Sequence, residues 1–390
     1  MQKLTCTLLF AFVLVVAARG ADADAASTEV VRPPGTLKLV GLIHDGRALN
    51  RAHDVELQGD LAFVAGKGGS LAIINIADRT APKLVSSLVD PVEFEDAETV
   101  MPAGNVLFLG TRDFFSIDIS DAAKPRVLKK ISDRPRIDLI NGMALFGNHV
   151  LTANKSGYIG VFDVSDPADP KYAGALHTAG AGGPKKPHDI AVWGNHAIVV
   201  DAQQHEPHSV FIYRIALPGA NKPLPAAEWT LTGRVSNIDN EGDLQGANRV
   251  VAWGGRYAGV GAFQPDRVGV IDVSDPARPR QLANMPVCDI DATGMAIYGS
   301  LLLVSGGECV EAIDVSTPWR PVSVAQYRGG ALFPTRALRL GKTPRYDNGH
   351  DLVYRDGYIH VTAQNDNRLG ILKVLDPKIR KLASRREENK

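Results

Sequence analysis

The sequence predicts an all-β fold, a seven-bladed β-propeller of four-stranded antiparallel blades, and two observations support this prediction. First, a short β-branched strand that runs into an acidic turn and a proline recurs seven times, although some copies are incomplete. Second, each copy follows a first strand, a hairpin of the Gly-Asn or Gly-Asp type and a second strand, and most are followed by a fourth strand. A unit of this length cannot bury its own apolar face, so the copies must stack. Four short antiparallel strands, repeated seven times, are typical of a propeller.

The seven copies differ in clarity. The clearest are residues 161–167 and 270–276, weaker ones are residues 73–78, 116–121 and 312–316, and degenerate ones are residues 212–215 and 371–377. The acidic residue in the copies (Asp118, Asp163, Asp272 and Asp314) is expected to bond the backbone of its own turn and not to form a site.

Two segments could supply the strand that closes the ring. Residues 36–43 resemble a fourth strand but precede the first repeat, whereas residues 378–383 follow the last one. The N-terminal segment is the more apolar, so we expect it to complete the last blade and remove an exposed edge. The predicted propeller spans residues 35–383, and residues 384–390 form a charged tail expected to fray.

The phrase at residues 270–279, Val-Ile-Asp-Val-Ser-Asp-Pro-Ala-Arg-Pro, resembles the LVIVD repeat family, and the other copies fit the same pattern. The resemblance covers roughly residues 35–383. It implies an exported bacterial or archaeal β-propeller, and it carries no activity over to this chain.

The N-terminal residues resemble a signal peptide, expected to span residues 1–23. Lys3 precedes an apolar run, residues 8–16, that is short for a membrane span, and small residues follow. The alternative is an uncleaved anchor. The protein is therefore expected to be exported (periplasmic, secreted or on the cell surface), with no stable membrane span after cleavage.

The charge balance limits the classes of partner that the sequence indicates. Lys plus Arg and Asp plus Glu both number 43, so the chain has no excess of basic residues that would indicate binding to nucleic acid.

In an exported protein Cys288 and Cys309, both in the sixth repeat, are expected to form a disulfide. The alternative is two buried free thiols.

Alignment of the hairpins places one polar residue at the start of each innermost strand. We call these seven residues the column: His53, Glu98, Asn141, His188, Asn248, Thr293 and His350. Innermost strands line the central channel, so the column is predicted to form a polar, ligand-binding ring at one mouth. In three copies the pair is His-Asp, and strand alternation favours an Asp that points into the blade.

Blades 1 and 7 are neighbours in a closed ring, so His350, His53 and Glu98 are expected to be contiguous. With His188 they are candidate ligands of a divalent metal ion with open coordination positions. No cofactor is certain from the sequence. The alternative is a hydrogen-bonded, water-filled ring that shapes the channel without metal.

Three long loops are expected on the same face: residues 177–187, 217–246 and 328–349. The first carries Lys185 and Lys186. The third carries cations and aromatic residues that suit an anionic or sugar-like ligand, or that form a solvated lid: Phe333, Arg336, Arg339, Lys342, Arg345 and Tyr346. His205 and His208 are expected on this face too, and residues 239–243 resemble a calcium loop in composition only.

The sequence favours an exported binding module that presents this face to a protein, a glycan or a small ligand. The alternative function is a metal-dependent enzyme, a hydrolase or an oxidoreductase, with its site at the channel mouth. No nucleophile elbow, phosphate-binding loop or His-Glu-x-x-His helix is present in the sequence, so the catalytic residues are unknown.

Overall fold

The computed structural model describes residues 36–203, 206–216, 229–236, 244–262, 267–287, 292–335, 339–340, 343–344 and 348–384. Several predicted features lie outside these residues and stay predictions: the signal peptide, His205, Cys288, residues 239–243, Arg336, Lys342, Arg345, Tyr346 and residues 385–390.

Seven four-stranded antiparallel sheets are arranged as the blades of a β-propeller, which confirms the predicted fold class. From the innermost strand outward, blade 1 comprises Ala52–Gln58, Leu61–Gly66, Ser70–Asn75 and Lys83–Val89, and blade 2 comprises Thr99–Ala103, Val106–Gly110, Phe114–Asp118 and Arg126–Ile131. In the same order, blade 3 comprises Ile140–Phe146, His149–Asn154, Tyr158–Asp163 and Lys171–His177, blade 4 comprises Pro187–Trp193, His196–Asp201, His208–Arg214 and Thr230–Ser236, and blade 5 comprises Ala247–Trp253, Tyr257–Ala262, Arg267–Asp272 and Arg280–Pro286. Blade 6 comprises Gly294–Tyr298, Leu301–Gly306, Cys309–Asp314 and Val322–Arg328, and blade 7 comprises Gly349–Arg355, Tyr358–Ala363, Arg368–Val374 and, outermost, Leu37–His44.

The N-terminal strand closes the ring, as predicted. Leu37–His44 pairs antiparallel with Arg368–Val374, from Leu37 opposite Val374 to Ile43 opposite Leu369, and it covers the outer edge of blade 7. The competing C-terminal segment is instead an α-helix, Pro377–Ser384, whose Ile379 and Leu382 are buried against blades 6 and 7.

The repeat aspartates bond their own turns, which confirms their structural role. Asp163 Oδ1 accepts hydrogen bonds from the backbone N–H of Ser165 at 2.9 Å and from its hydroxyl at 2.6 Å. Asp118, Asp272 and Asp314 accept the equivalent backbone bonds. These carboxylates therefore specify the turn between the third and fourth strands.

The core lies between adjacent blades, and the innermost strands contact one another in sequence around the channel, including blade 7 against blade 1. Phe114 of blade 2, for example, stacks on Phe162 of blade 3 with ring centroids 4.0 Å apart. Besides the C-terminal helix, the described residues include a 3₁₀-helix, Ala179–Ala181, and a small two-stranded sheet, Arg339–Leu340 with Thr343–Pro344. Within the described ranges, no helix is long and apolar enough to cross a membrane.

Candidate functional site

β-Bulges at the start of the innermost strands position the side chains of the column residues. In blade 1, Ala52 pairs with Gly66 and Asp54 with Ala65, so His53 between them has no partner on the second strand. The same single-residue offset occurs at Asn141, His188 and Asn248, and a register shift also flanks His350. A bulge leaves one residue unpaired and re-aims its side chain. Glu98 and Thr293 directly precede their strands, and all seven column residues are buried.

Column residues form hydrogen bonds across several of the junctions between neighbouring blades. His53 Nδ1 donates to the backbone carbonyl of Glu98 at 2.8 Å, and His188 Nδ1 donates to that of Asn248 at the same distance. Thr293 Oγ1 donates to the carbonyl of Gly349 at 2.7 Å. Because a carbonyl only accepts, Nδ1 carries the proton in both histidines and Nε2 is the acceptor of the neutral ring.

Glu98 is the central acidic residue of the mouth and is 2% exposed. Its Oε1 lies 3.0 Å from Lys67 Nζ, while its Oε2 accepts from Asn141 Nδ2 and lies 3.8 Å from Lys155 Nζ. A buried carboxylate needs such partners, and here they come from blades 1 and 3, on either side of its own. His53 Nε2 is 3.3 Å from the same Oε2, but in the neutral ring it has no proton to donate.

The histidines of the mouth are neutral near pH 7. Burial lowers the pKa of His53, His188 and His350 well below the usual 6.5. The positive charges of Lys67, Lys155 and Arg249 lower all three further. Burial also lowers the pKa of Lys155, to about 8.

A cavity of about 390 Å³ opens at this mouth, and we call it the mouth cavity. Polar side chains converge on it from blades 1, 3, 4, 5 and 7. Its lining comprises His53, Lys67, Leu139, Lys155, Lys186, His188, Ala202, Asn248, His350 and Gln364. Lys67, Lys155, Ala202 and Gln364 are each the first residue after a second strand. The sequence shows this second set of equivalent positions too, but only if the alignment of the blades is continued past the first hairpin.

A second cavity, of about 270 Å³, lies further along the innermost strands. Asp54, Asp189 and Asp351 line it, so the expectation that these residues point into the blades is wrong. The bulge breaks the strand alternation on which that expectation depended. Each Asp accepts the backbone N–H of the next blade, as when Val100 donates to Asp54 Oδ2 at 2.7 Å.

Arg249 is the buried cation of this second layer and was not predicted as a site residue. Its Nε donates to the carbonyl of Thr293 at 2.8 Å. Burial opposes its charge, but the carboxylates of Asp189, Asp351, Asp54 and Glu98 hold its pKa above the usual value. Burial raises the pKa of Asp189 to about 6 and, together with Asp54, that of Asp351 well above 3.8.

The predicted metal ligands His53, His350, Glu98 and His188 lie at or beside the mouth cavity. Among the described residues, no group of three or more His, Cys, Asp or Glu side chains is placed to hold a metal ion. Lys67 and Lys155 contact the Glu98 carboxylate instead, and the Nδ1 atoms of His53 and His188 are engaged by backbone carbonyls.

Other predicted residues lie elsewhere. His208 begins the third strand of blade 4, with its ring against Phe211, and does not line the mouth cavity. Phe333 is buried in the core between blades 6 and 7 and is not among the residues that line the mouth cavity. Lys185 pairs with Glu206 at 2.7 Å. Cys309 is buried and forms no disulfide with a described residue, and its pairing with Cys288 stays a prediction.

Residues 50–90 and 141–178 match the model of the LVIVD repeat family. These two stretches are LVIVD repeats. They coincide with blades 1 and 3, so the matched LVIVD repeats supply Lys67 and Lys155, the two lysines that contact Glu98 from either side. No curated protein sequence matches the chain.

Solved structures support the fold alone. The WD40 β-propeller domain of Doa1 is 8% identical, with a TM-score of 0.63, and the alignment covers 88% of this chain and 98% of that domain. The computationally designed Ika8 protein is 11% identical, with a TM-score of 0.55, and the alignment covers 86% of this chain and 99% of that protein. The chain that carries the LVIVD repeats therefore shares the propeller architecture of proteins with unrelated sequences.

Proposed function

We propose that the protein is a binding module that holds a small polar ligand in the mouth cavity. The observation that supports this most strongly is the convergence of histidine, lysine and amide side chains from five blades on one cavity of about 390 Å³. Ligand sites are concave, few in number and furnished with a few convergent polar groups.

The shape of the site favours a small molecule over a protein. A volume near 390 Å³ lies within the range of about 300–1,000 Å³ that is usual for small-molecule pockets. The neutral histidines and the amides of Asn248 and Gln364 supply directional hydrogen bonds, whereas leucine and alanine form a small part of the lining.

Export belongs to the same proposal. The short positive and apolar segment at residues 1–23 supports cleavage and release from the cytoplasm. Intact-mass measurement of protein recovered from the periplasm or medium is expected to show loss of about this segment. Protein of full mass in the cytoplasmic fraction alone would count against export.

The binding proposal is tested by blocking the cavity without removing a polar group. Ala202 lines the cavity, and Ala202→Phe would fill part of it. Ala123→Phe, at an exposed turn, is the matched control. Thermal shifts are measured with phosphate, succinate, glucose and choline as probes. At least one probe is expected to raise the melting temperature of the wild type and of Ala123→Phe but not of Ala202→Phe. If every shift is equal in the two variants, or if no probe gives a shift, the proposal is wrong.

A further inference from the structure

Cations outnumber anions around the mouth cavity. Lys67, Lys155 and Lys186 line it, and the carboxylate of Glu98 contacts the first two. The histidines are neutral. The lining itself includes three lysines and no Asp or Glu, while the nearby carboxylate of Asp201 accepts the backbone N–H groups of Lys185 and Lys186.

Glu98 leaves the lysines with donors to spare. Each ammonium group has three N–H donors. Glu98 Oε1, 3.0 Å from Lys67 Nζ, takes one donor of Lys67, whereas Lys155 Nζ lies 3.8 Å from Oε2, beyond hydrogen-bond distance. Lys67 is 15% exposed and Lys155 is 25% exposed, so each amine is partly withdrawn from solvent while it lines the cavity. Partial withdrawal from water strengthens a charge-assisted hydrogen bond to a ligand.

Two amide side chains add hydrogen-bonding groups to those of the lysines. Asn248 and Gln364 line the same cavity, and both are buried. The exposed Lys186 stands at its rim. Such a set matches an oxyanion, which accepts several hydrogen bonds from different directions.

We infer that the ligand of the mouth cavity is a small anion that bears a carboxylate or a phosphate group, held between Lys67 and Lys155 with Lys186 at the rim. This inference rests on the proposed function and adds the chemical class of the ligand. A cationic ligand would be repelled by the three ammonium groups, and a neutral sugar would not need them.

Calorimetric titration of the full chain with phosphate, with succinate and with glucose tests the inference. At least one of the two anions is expected to bind the wild type, and the stronger of them distinguishes phosphate from carboxylate chemistry. Lys155→Gln and Lys67→Gln are each expected to weaken that binding roughly tenfold or more, because each removes a charge-assisted hydrogen bond. Lys155→Arg is expected to retain part of it. Lys124→Gln, at an exposed turn of blade 2, is the control and is expected to bind as the wild type does.

The outcomes separate the inference from the proposed function. Glucose binding that Ala202→Phe abolishes, without anion binding, would overturn the anion inference and leave the binding site in place. Anion binding that Lys67→Gln, Lys155→Gln and Lys186→Gln all leave unchanged would show an adventitious ion only. Lys186→Gln changes an exposed side chain, so it keeps the test decisive if a variant at Lys67 or Lys155 fails to fold. Absence of binding by every probe would overturn both.

Discussion

The imidazole rings of His53 and His350 lie with their centroids 3.6 Å apart, tilted by 36°, where blade 7 meets blade 1. Both rings are buried, and the charge on either would repel the other. The N-terminal strand completes blade 7, so this pair of histidines lies where the first and the last blade of the closed ring meet.

Removal of one ring of this pair should make stability less sensitive to acid. The folded-state pKa of His53 lies well below the unfolded value of 6.5, so the unfolded state binds more protons and stability is lost as pH falls below 6.5. One such histidine accounts for up to about 1.4 kcal/mol per pH unit. In urea unfolding at pH 7.5 and 5.5, His53→Gln should lose less stability than the wild type. An equal loss would contradict the buried neutral ring.

Asp189 should change the pH dependence of stability in the direction opposite to His53. Its folded-state pKa of about 6 lies above the usual 3.8, so its contribution to stability is complete below 3.8 and is lost as pH rises through 6. Asp189→Asn is therefore expected to gain stability relative to the wild type as pH rises from 4 to 7, by a few kcal/mol at most because the pKa difference is about two units. The same urea series, extended to pH 4, measures it, and a stability difference that does not change with pH would exclude the raised pKa.

Removal of the buried guanidinium of Arg249 should lower the stability of the protein severely. Arg249→Met removes the cation that faces Asp189, Asp351, Asp54 and Glu98, and uncompensated buried charge costs about 3–5 kcal/mol. Arg256→Met, in the same blade, is the control because Arg256 is half exposed in its ion pair with Asp272 at 2.8 Å, and exposed ion pairs add little stability. The free energy of unfolding in urea separates the two, and equal losses would show that Arg249 is not the counter-ion of the channel.

The inner carboxylate of the mouth competes with the inferred anion. Glu98→Gln should free Lys67 and Lys155 and so strengthen phosphate or succinate binding several-fold, by about 1 kcal/mol, while it lowers stability. Calorimetric titration beside a melting curve gives both values. Weaker anion binding in a folded Glu98→Gln protein would contradict the idea that Glu98 and the ligand share these lysines.

The N-terminal strand should be essential to the closed ring. A chain that starts at Asp45 lacks Leu37–His44 and exposes the edge of Arg368–Val374, the third strand of blade 7, whereas a chain that starts at Thr36 keeps the outermost strand. Burial of Leu37, Leu39 and Leu42 corresponds to a loss on the order of 5 kcal/mol. The shorter chain is expected to melt earlier and to aggregate through its open edge, as followed by light scattering. Equal melting of the two chains would show that the ring closes without this strand.

Most of the fold could be predicted because the repeat allows the blades to be aligned. The strand order, the turn aspartates and the closing strand all follow from local patterns that recur. The C-terminal helix was missed, although Asp376 and Pro377 indicate a helix start: the backbone N–H of Lys378 donates to Asp376 Oδ1 at 2.7 Å.

The site could be predicted only in part. The sequence predicts the column because one polar residue stands at the start of each innermost strand. The geometry of the column could not be predicted, because a β-bulge is defined by the pairing with the second strand and has no signature in the sequence of one strand. Arg249 occupies the position where blades 1, 4 and 7 have Asp, so a search for His-Asp pairs passes over it. Lys67 and Lys155 lie one strand further on and are 88 residues apart in the chain.

The most direct test of the mouth as an anion site is a crystal structure of the full chain grown with selenate, a tetrahedral dianion visible by its anomalous scattering. An anomalous peak within hydrogen-bond distance of Lys67 Nζ and Lys155 Nζ, absent in Lys155→Gln, is the predicted result. Selenate found only on the outer surface, with the mouth cavity holding water alone, would contradict it.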